Sequence, residues 1–137
     1  MERVKALYQL SAVHAHVDGY CHEMPAAYAA ADLVVCRAGA STVWELIAVR
    51  KPAILVPYPL ATGQHQSENA RLLADAGAGM VREQRDLAES GISGPLEQAM
   101  SPEVLGRMTA AYARLGIDPF LSAGKIRELV VSAAKKS

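Results

Sequence analysis

The sequence predicts an α/β fold in which a parallel sheet is flanked by helices, and two observations carry that reading. Two short runs, Leu33–Val35 and Ala53–Val56, are apolar at every position, the pattern of strands covered on both faces. Between and beyond them lie segments with helical spacing, so strands and helices alternate as in βαβ units.

Residues 2–10 place Val4, Leu7 and Leu10 at helical spacing. "AVHAHV" (12–17) alternates small or apolar residues with histidines and reads as a strand. "MPAAYAAA" (24–31) reads as a helix, with Pro25 admissible in its first turn. "DLVVC" (32–36) is the next strand, followed by a small-residue loop and a helix over about 40–49. Lys51-Pro52 stops that helix, and "AILVP" (53–57) is again a strand. A helix from about 64 to 76 ends at Gly77, a natural cap. "GMVRE" (79–83) reads as a short strand, and everything after about 93 as helical, broken near Gly116 and Asp118-Pro119.

At 137 residues the chain fits one domain, 1–137, with enough length for a real core. Apolar residues make up 51% and charged residues 20%, which excludes a disordered chain. Fourteen basic and 14 acidic side chains cancel, and a single Phe and a single Trp offer no base-stacking platform, so no nucleic-acid partner is expected. Cys21 and Cys36 form no CxxC pair or disulfide framework and point to a reducing compartment. No run approaches the length of a membrane span, and "MERVKALYQL" lacks the apolar segment of a secretory signal. The expected location is cytoplasmic.

In parallel sheets ligands sit beyond the carboxyl ends of the strands, which puts Arg37–Thr42 and Pro57–Gln66 on one rim. In "CRAGASTVWE" (36–45), Gly39 and Ala40 admit close backbone approach, and the helix that follows offers unpaired N–H groups and its positive end to an anion. Arg37 adds forked donors suited to a phosphate. The competing reading is an ordinary strand-to-helix turn in which Thr42-x-x-Glu45 is a capping box. In "GQHQSENA" (63–70), His65, Gln66 and Asn69 share a helix face and could read sugar or phosphate hydrogen bonds, or merely form a solvated first turn. His14, His16, His22 and Glu23 lack metal-site spacing, so no metal is expected. No nucleophilic triad and no general base stands out, so no catalytic residue is assigned.

Together these segments resemble the carboxyl-terminal half of the peptidoglycan N-acetylglucosaminyltransferases, which move N-acetylglucosamine from UDP-N-acetylglucosamine to the muramyl-pentapeptide lipid. The resemblance spans roughly residues 14–135 and rests on R-x-G-A-x-T-x-x-E, the strand ending V-P-Y-P, and H-Q-x-x-N-A after it. It implies a Rossmann-like sheet belonging to an incomplete carboxyl-terminal domain of the two-domain GT-B fold, with no cofactor. Gly39, Ala40, Ser41 and Thr42 would meet the diphosphate, and Glu45 the ribose hydroxyls. His65 and Gln66 would read the sugar, with Asn69 beside them. Tyr20, Cys21 and Met24 would border the uracil, Cys21 through its backbone, and Arg37 would supply rim electrostatics.

The chain departs from the family's pattern in three places. It lacks two initial strands with a glycine- and serine-rich phosphate loop, and it lacks the amino-terminal domain with the acceptor site and membrane-facing patch. "YCHEM" (20–24) stands where the family has Phe-Ile-Asp-Asp-Met. The expectation is a donor-binding piece, inactive alone, that needs the missing domain or a separate chain supplying it. Membrane contact would come only through that missing half, at the inner face of the plasma membrane. The strand at 12–17 would lack its usual partner, and exposed apolar surface would favour self-association. A non-catalytic nucleotide-sugar-binding subunit and a UDP-sugar epimerase-like fragment are the alternatives.

Overall fold

A computed structural model describes residues 1–11, 13–60, 64–118 and 121. The chain divides into two compact units, Met1–Ala30 and Ala31–Ser137.

The first unit holds helix α1 (Glu2–Gln9) and helix α2 (Met24–Ala30). Pro25 is the second residue of α2, where its missing N–H costs nothing. Residues 13–17 form no strand, which corrects the reading of "AVHAHV". Alternation alone does not make a strand: a ladder partner is required, and no described residue supplies one. His14 and His16 are both exposed, and His16 Nε2 lies 2.8 Å from an Asp18 carboxylate oxygen.

The second unit runs β1 (Val34–Cys36), α3 (Ala40–Val49), β2 (Ala53–Leu55), α4 (His65–Ala76), β3 (Gly79–Val81), α5 (Gln84–Ser90), α6 (Ser93–Met100), α7 (Pro102–Ala111) and a 3-10 turn at Tyr112–Leu115. The three strands form a parallel sheet in the order β1-β2-β3, with Val35 opposite Ile54 and Ile54 opposite Met80. Helices α3 and α4, which connect the three strands, pack on each other, as crossovers of one hand in that order require.

The helices follow from the spacing of their apolar residues. Val43, Leu46 and Ile47 of α3 are buried, as are Ala70 and Leu73 of α4. Arg50 caps α3 in the left-handed conformation (φ 53°), and Gly77 does the same for α4 (φ 79°). Gly79 lets the strands close up, since a Cβ there would meet Leu55 Cδ1 at 3.1 Å and the Ala53 carbonyl oxygen at 3.3 Å.

Only the central strand is covered on both faces: Ala53, Ile54 and Leu55 are fully buried, whereas Val35 is 45% exposed. That corrects the reading of 33–35 as a two-sided strand, because Val35 alternates to the face opposite Val34 and Cys36 and stays open there among the described residues. Helix α5 was not foreseen in the sequence. It is short, and none of its residues is buried, so it carries no apolar stripe to read. The break at Gly116 is present as a left-handed cap (φ 59°), while Pro119 and the helix expected beyond it lie outside the described residues.

Candidate functional site

The carboxyl ends of three parallel strands meet on one rim, and the loops leaving them are tied to one another. Arg37 follows β1. Its Nη1 donates to the Val56 and Pro57 carbonyl oxygens, at 3.3 and 3.2 Å, in the loop after β2. Its Nη2 donates to Gln84 Oε1 at 2.6 Å, at the start of α5 after β3. The guanidinium also lies over the Tyr58 ring, 5.4 Å from the centroid, a cation–π contact.

Helix α4 completes the ties. Gln66 Oε1 accepts the Tyr58 backbone N–H at 2.9 Å, and Asn69 Nδ2 donates to the Ala38 carbonyl oxygen at 3.1 Å. Both side chains are half-buried and hold loop backbone, one behind β2 and one behind β1. His65 behaves differently. It is the first residue of α4, its side chain is 76% exposed, and its Nδ1 lies 4.0 Å from Glu68 Oε2. The helix face shared by His65, Gln66 and Asn69 is thus divided: two members hold the rim together and the third looks out from it.

The start of α3 overturns the capping-box alternative. Gly39 is the cap residue, so Thr42 is the third helical residue and Glu45 the sixth, too far in for either to serve in a box. Among the described residues no side chain caps the helix, and its first internal bond runs from Val43 N to the Gly39 oxygen. The Ala40, Ser41 and Thr42 N–H groups precede that bond and sit at the positive end of the helix. Gly39 itself has φ −64° and ψ 149°, so it supplies no left-handed turn. Among the described residues a Cβ there would meet only Thr42 Oγ1, at 3.9 Å. What this glycine provides is an uncovered backbone. Glu45 is exposed on the outward side of α3, opposite buried Val43, Leu46 and Ile47, and beside half-exposed Trp44.

Below the rim, burial pushes the Cys36 thiol up to about 11, and burial together with the nearby Cys36 raises the Tyr112 phenol further still. Both stay neutral at physiological pH. The Tyr112 hydroxyl donates to the Lys51 carbonyl oxygen, closing the far end of the sheet. No group of His, Cys, Asp and Glu among the described residues could hold a metal ion.

Tyr20, Cys21 and Met24 lie in the first unit, where all three are exposed. Tyr20 packs edge-on against His22, ring centroids 4.7 Å apart. Tyr58, Gln84 and Glu68 went unnoticed in the sequence. Glu68 could have been found from its i+3 spacing to His65. Gln84, 47 residues from Arg37, has no local signal.

The family model described as glycosyltransferase family 28 C-terminal domain matches residues 2–116. Among curated proteins the chain is 46% identical over 116 residues to the UDP-N-acetylglucosamine–N-acetylmuramyl-(pentapeptide) pyrophosphoryl-undecaprenol N-acetylglucosamine transferase of Anaeromyxobacter sp. (strain Fw109-5), covering 84% of this chain and 30% of that one. It is 42% identical over 136 residues to the protein of the same name from Shewanella denitrificans, covering 97% of this chain and 37% of that one. Among solved structures it resembles the MurG of Acinetobacter baumannii, with a TM-score of 0.75, 32% identity, and coverage of 82% of this chain and 35% of that one. The chain spans about a third of the length of the curated relatives it matches. Its sheet, its rim and these matches agree: the chain belongs to the glycosyltransferase family 28 C-terminal domain family.

Proposed function

We propose that this chain forms the UDP-N-acetylglucosamine-binding portion of a glycosyltransferase that adds N-acetylglucosamine to the muramyl-pentapeptide lipid of peptidoglycan synthesis. The observation that carries this reading is the uncapped start of α3 on the rim of a parallel sheet, behind a glycine whose backbone is open. The Ala40, Ser41 and Thr42 N–H groups would hold the diphosphate, and the helix dipole would stabilise the charge that gathers there as UDP leaves. Glu45, about one and a half turns further along, would accept hydrogen bonds from the ribose hydroxyls. Exposed His65 would reach the sugar. Gln66 would present its amide N–H groups there, its oxygen being engaged with Tyr58. The uracil edge is assigned to Tyr20, Cys21 and Met24 by the family resemblance alone.

The reaction would be an inverting displacement at the anomeric carbon, the acceptor hydroxyl attacking as the bond to UDP breaks. The chain's share of it is to bind the donor and steady the leaving group. Acceptor site and general base would come from the acceptor-binding domain or a separate chain carrying it, acting peripherally at the inner face of the plasma membrane. Among the described residues no helix is long and apolar enough to cross a membrane.

Calorimetry with UDP, uridine and UDP-N-acetylglucosamine tests the reading. UDP should bind, and Glu45→Gln should weaken UDP and uridine alike, because both carry the ribose. Absence of UDP binding, or an unchanged affinity in Glu45→Gln, would overturn it.

A further inference from the structure

We propose that Arg37 is a positioning residue: it clamps the three loops of the rim into one surface and adds its charge to the field that meets the bound anion. The proposal rests on the donor-site reading above. Nη1 is directed at two carbonyl oxygens of the β2 loop and Nη2 at the carboxamide of Gln84, so the clamp uses at most three of the five N–H donors. The guanidinium's central carbon lies over the Tyr58 ring.

The clamp reaches further than its own bonds. Arg37 and Ala38 leave β1, Val56 to Tyr58 leave β2, and Gln84 begins α5 after β3, so one side chain joins all three exits. Tyr58, under the guanidinium, is also bonded through its N–H to Gln66, next to His65 on α4. Shifting Arg37 would therefore shift the start of α4 relative to the start of α3, the two helix ends that face a donor.

The charge is the second half of the inference. Among the described residues the acceptors of Arg37 are neutral, and no carboxylate lies within ion-pair distance of it. An arginine paired to an acid would cancel itself. This one keeps its positive charge on the rim, two residues before Gly39 at the start of α3. Lysine could supply the charge as a point but could not fork to both loops or stack in the same way. Glutamine could keep a neutral donor but not the charge.

Three variants separate these roles: Arg37→Lys, Arg37→Gln and Gln84→Ala, the last removing the far end of the clamp. Amide hydrogen exchange of Tyr58 by NMR reads the clamp itself, and affinity for UDP and uridine at low and high salt reads its consequence. Arg37→Lys and Gln84→Ala should both speed Tyr58 exchange. Arg37→Lys should weaken UDP about tenfold with the salt slope kept, since the charge remains but the loop is displaced. Gln84→Ala should weaken UDP about two- to fivefold, the loss of one hydrogen bond acting at a distance. Arg37→Gln should flatten the salt dependence for UDP and leave uridine without any. A direct phosphate ligand would behave otherwise: Arg37→Lys would nearly retain UDP binding, because lysine also binds phosphate as a point charge, and Gln84→Ala would do nothing. That pair of results, or unchanged Tyr58 exchange in both variants, overturns the proposal. If the unsubstituted chain binds no UDP, the donor-site reading fails, and the clamp still stands or falls on Tyr58 exchange.

Discussion

Replacing Asn69 by alanine removes the side-chain donor that reaches the Ala38 carbonyl oxygen at 3.1 Å. Ala38 is fully buried, so water does not readily take the donor's place. An unsatisfied buried carbonyl costs about 1–3 kcal/mol. Asn69 is only half-buried, which favours the middle of that range, about 2 kcal/mol. For a domain of this size that corresponds to a fall in melting temperature of roughly 5–10 °C. Urea unfolding followed by the fluorescence of Trp44, the single tryptophan, measures it. Asn69→Asp is the companion variant: it keeps the volume but sets a carboxylate against a carbonyl, and should cost at least as much as alanine. If both variants unfold within about 0.5 kcal/mol of the parent, the range of an ordinary surface change, while UDP affinity collapses, then Asn69 reads the ligand and does not hold the loop.

Other expectations follow from the same geometry. Gly39→Ala should leave stability unchanged or raise it by about 0.4–1 kcal/mol, since φ is −64° and the new Cβ meets nothing closer than 3.9 Å; UDP affinity should fall with uridine spared, and equal loss for both would refute close backbone approach to phosphate. In a thiol-labelling assay at pH 8, Cys21, exposed, should react fast and Cys36 slowly, its thiol being held up at about 11; two equal rates would contradict that. Because the folded Cys36 value lies above 9.0, its contribution to stability is complete below pH 9 and is lost as pH rises from 9 through 11. Cys36→Ala should flatten the stability profile in that window. Ile54→Ala, in the fully buried central strand, should cost about 2–5 kcal/mol, read by the same urea titration.

Where apolar residues were both periodic and buried, the sequence was a sufficient guide. Helix α3 falls at Ala40–Val49, as expected for about 40–49, and α4 ends at Gly77, because the stripes that meet the sheet are the ones that can be counted along the chain. Strand ends were less legible. "AILVP" continues apolar through Val56 and Pro57, but pairing stops at Leu55, since Pro57 has no N–H to give and its carbonyl accepts from Arg37. "AVHAHV" failed for a different reason: a strand is a property of two segments, and alternation in one of them says nothing about the other.

The polar residues of the rim were found in the sequence but their backbone partners were not, and the reason is general. Helical spacing brings Gln66 and Asn69 to one face with His65, yet spacing cannot say whether an amide faces a ligand or a backbone. Loops leaving a parallel sheet carry carbonyl and N–H groups with no ladder to satisfy them, and buried ones must find side chains. Tyr58 N–H and the Ala38 carbonyl are two such groups, and Gln66 and Asn69 meet them. The Val56 and Pro57 carbonyls fall to Arg37 in the same way. A rim held by amides and a guanidinium keeps its shape without occupying the N–H groups at the start of α3. Among the described residues those groups stay available because the loops are satisfied by side chains from α4 and by Arg37 just after β1, and an anion held at a helix start needs that division of labour.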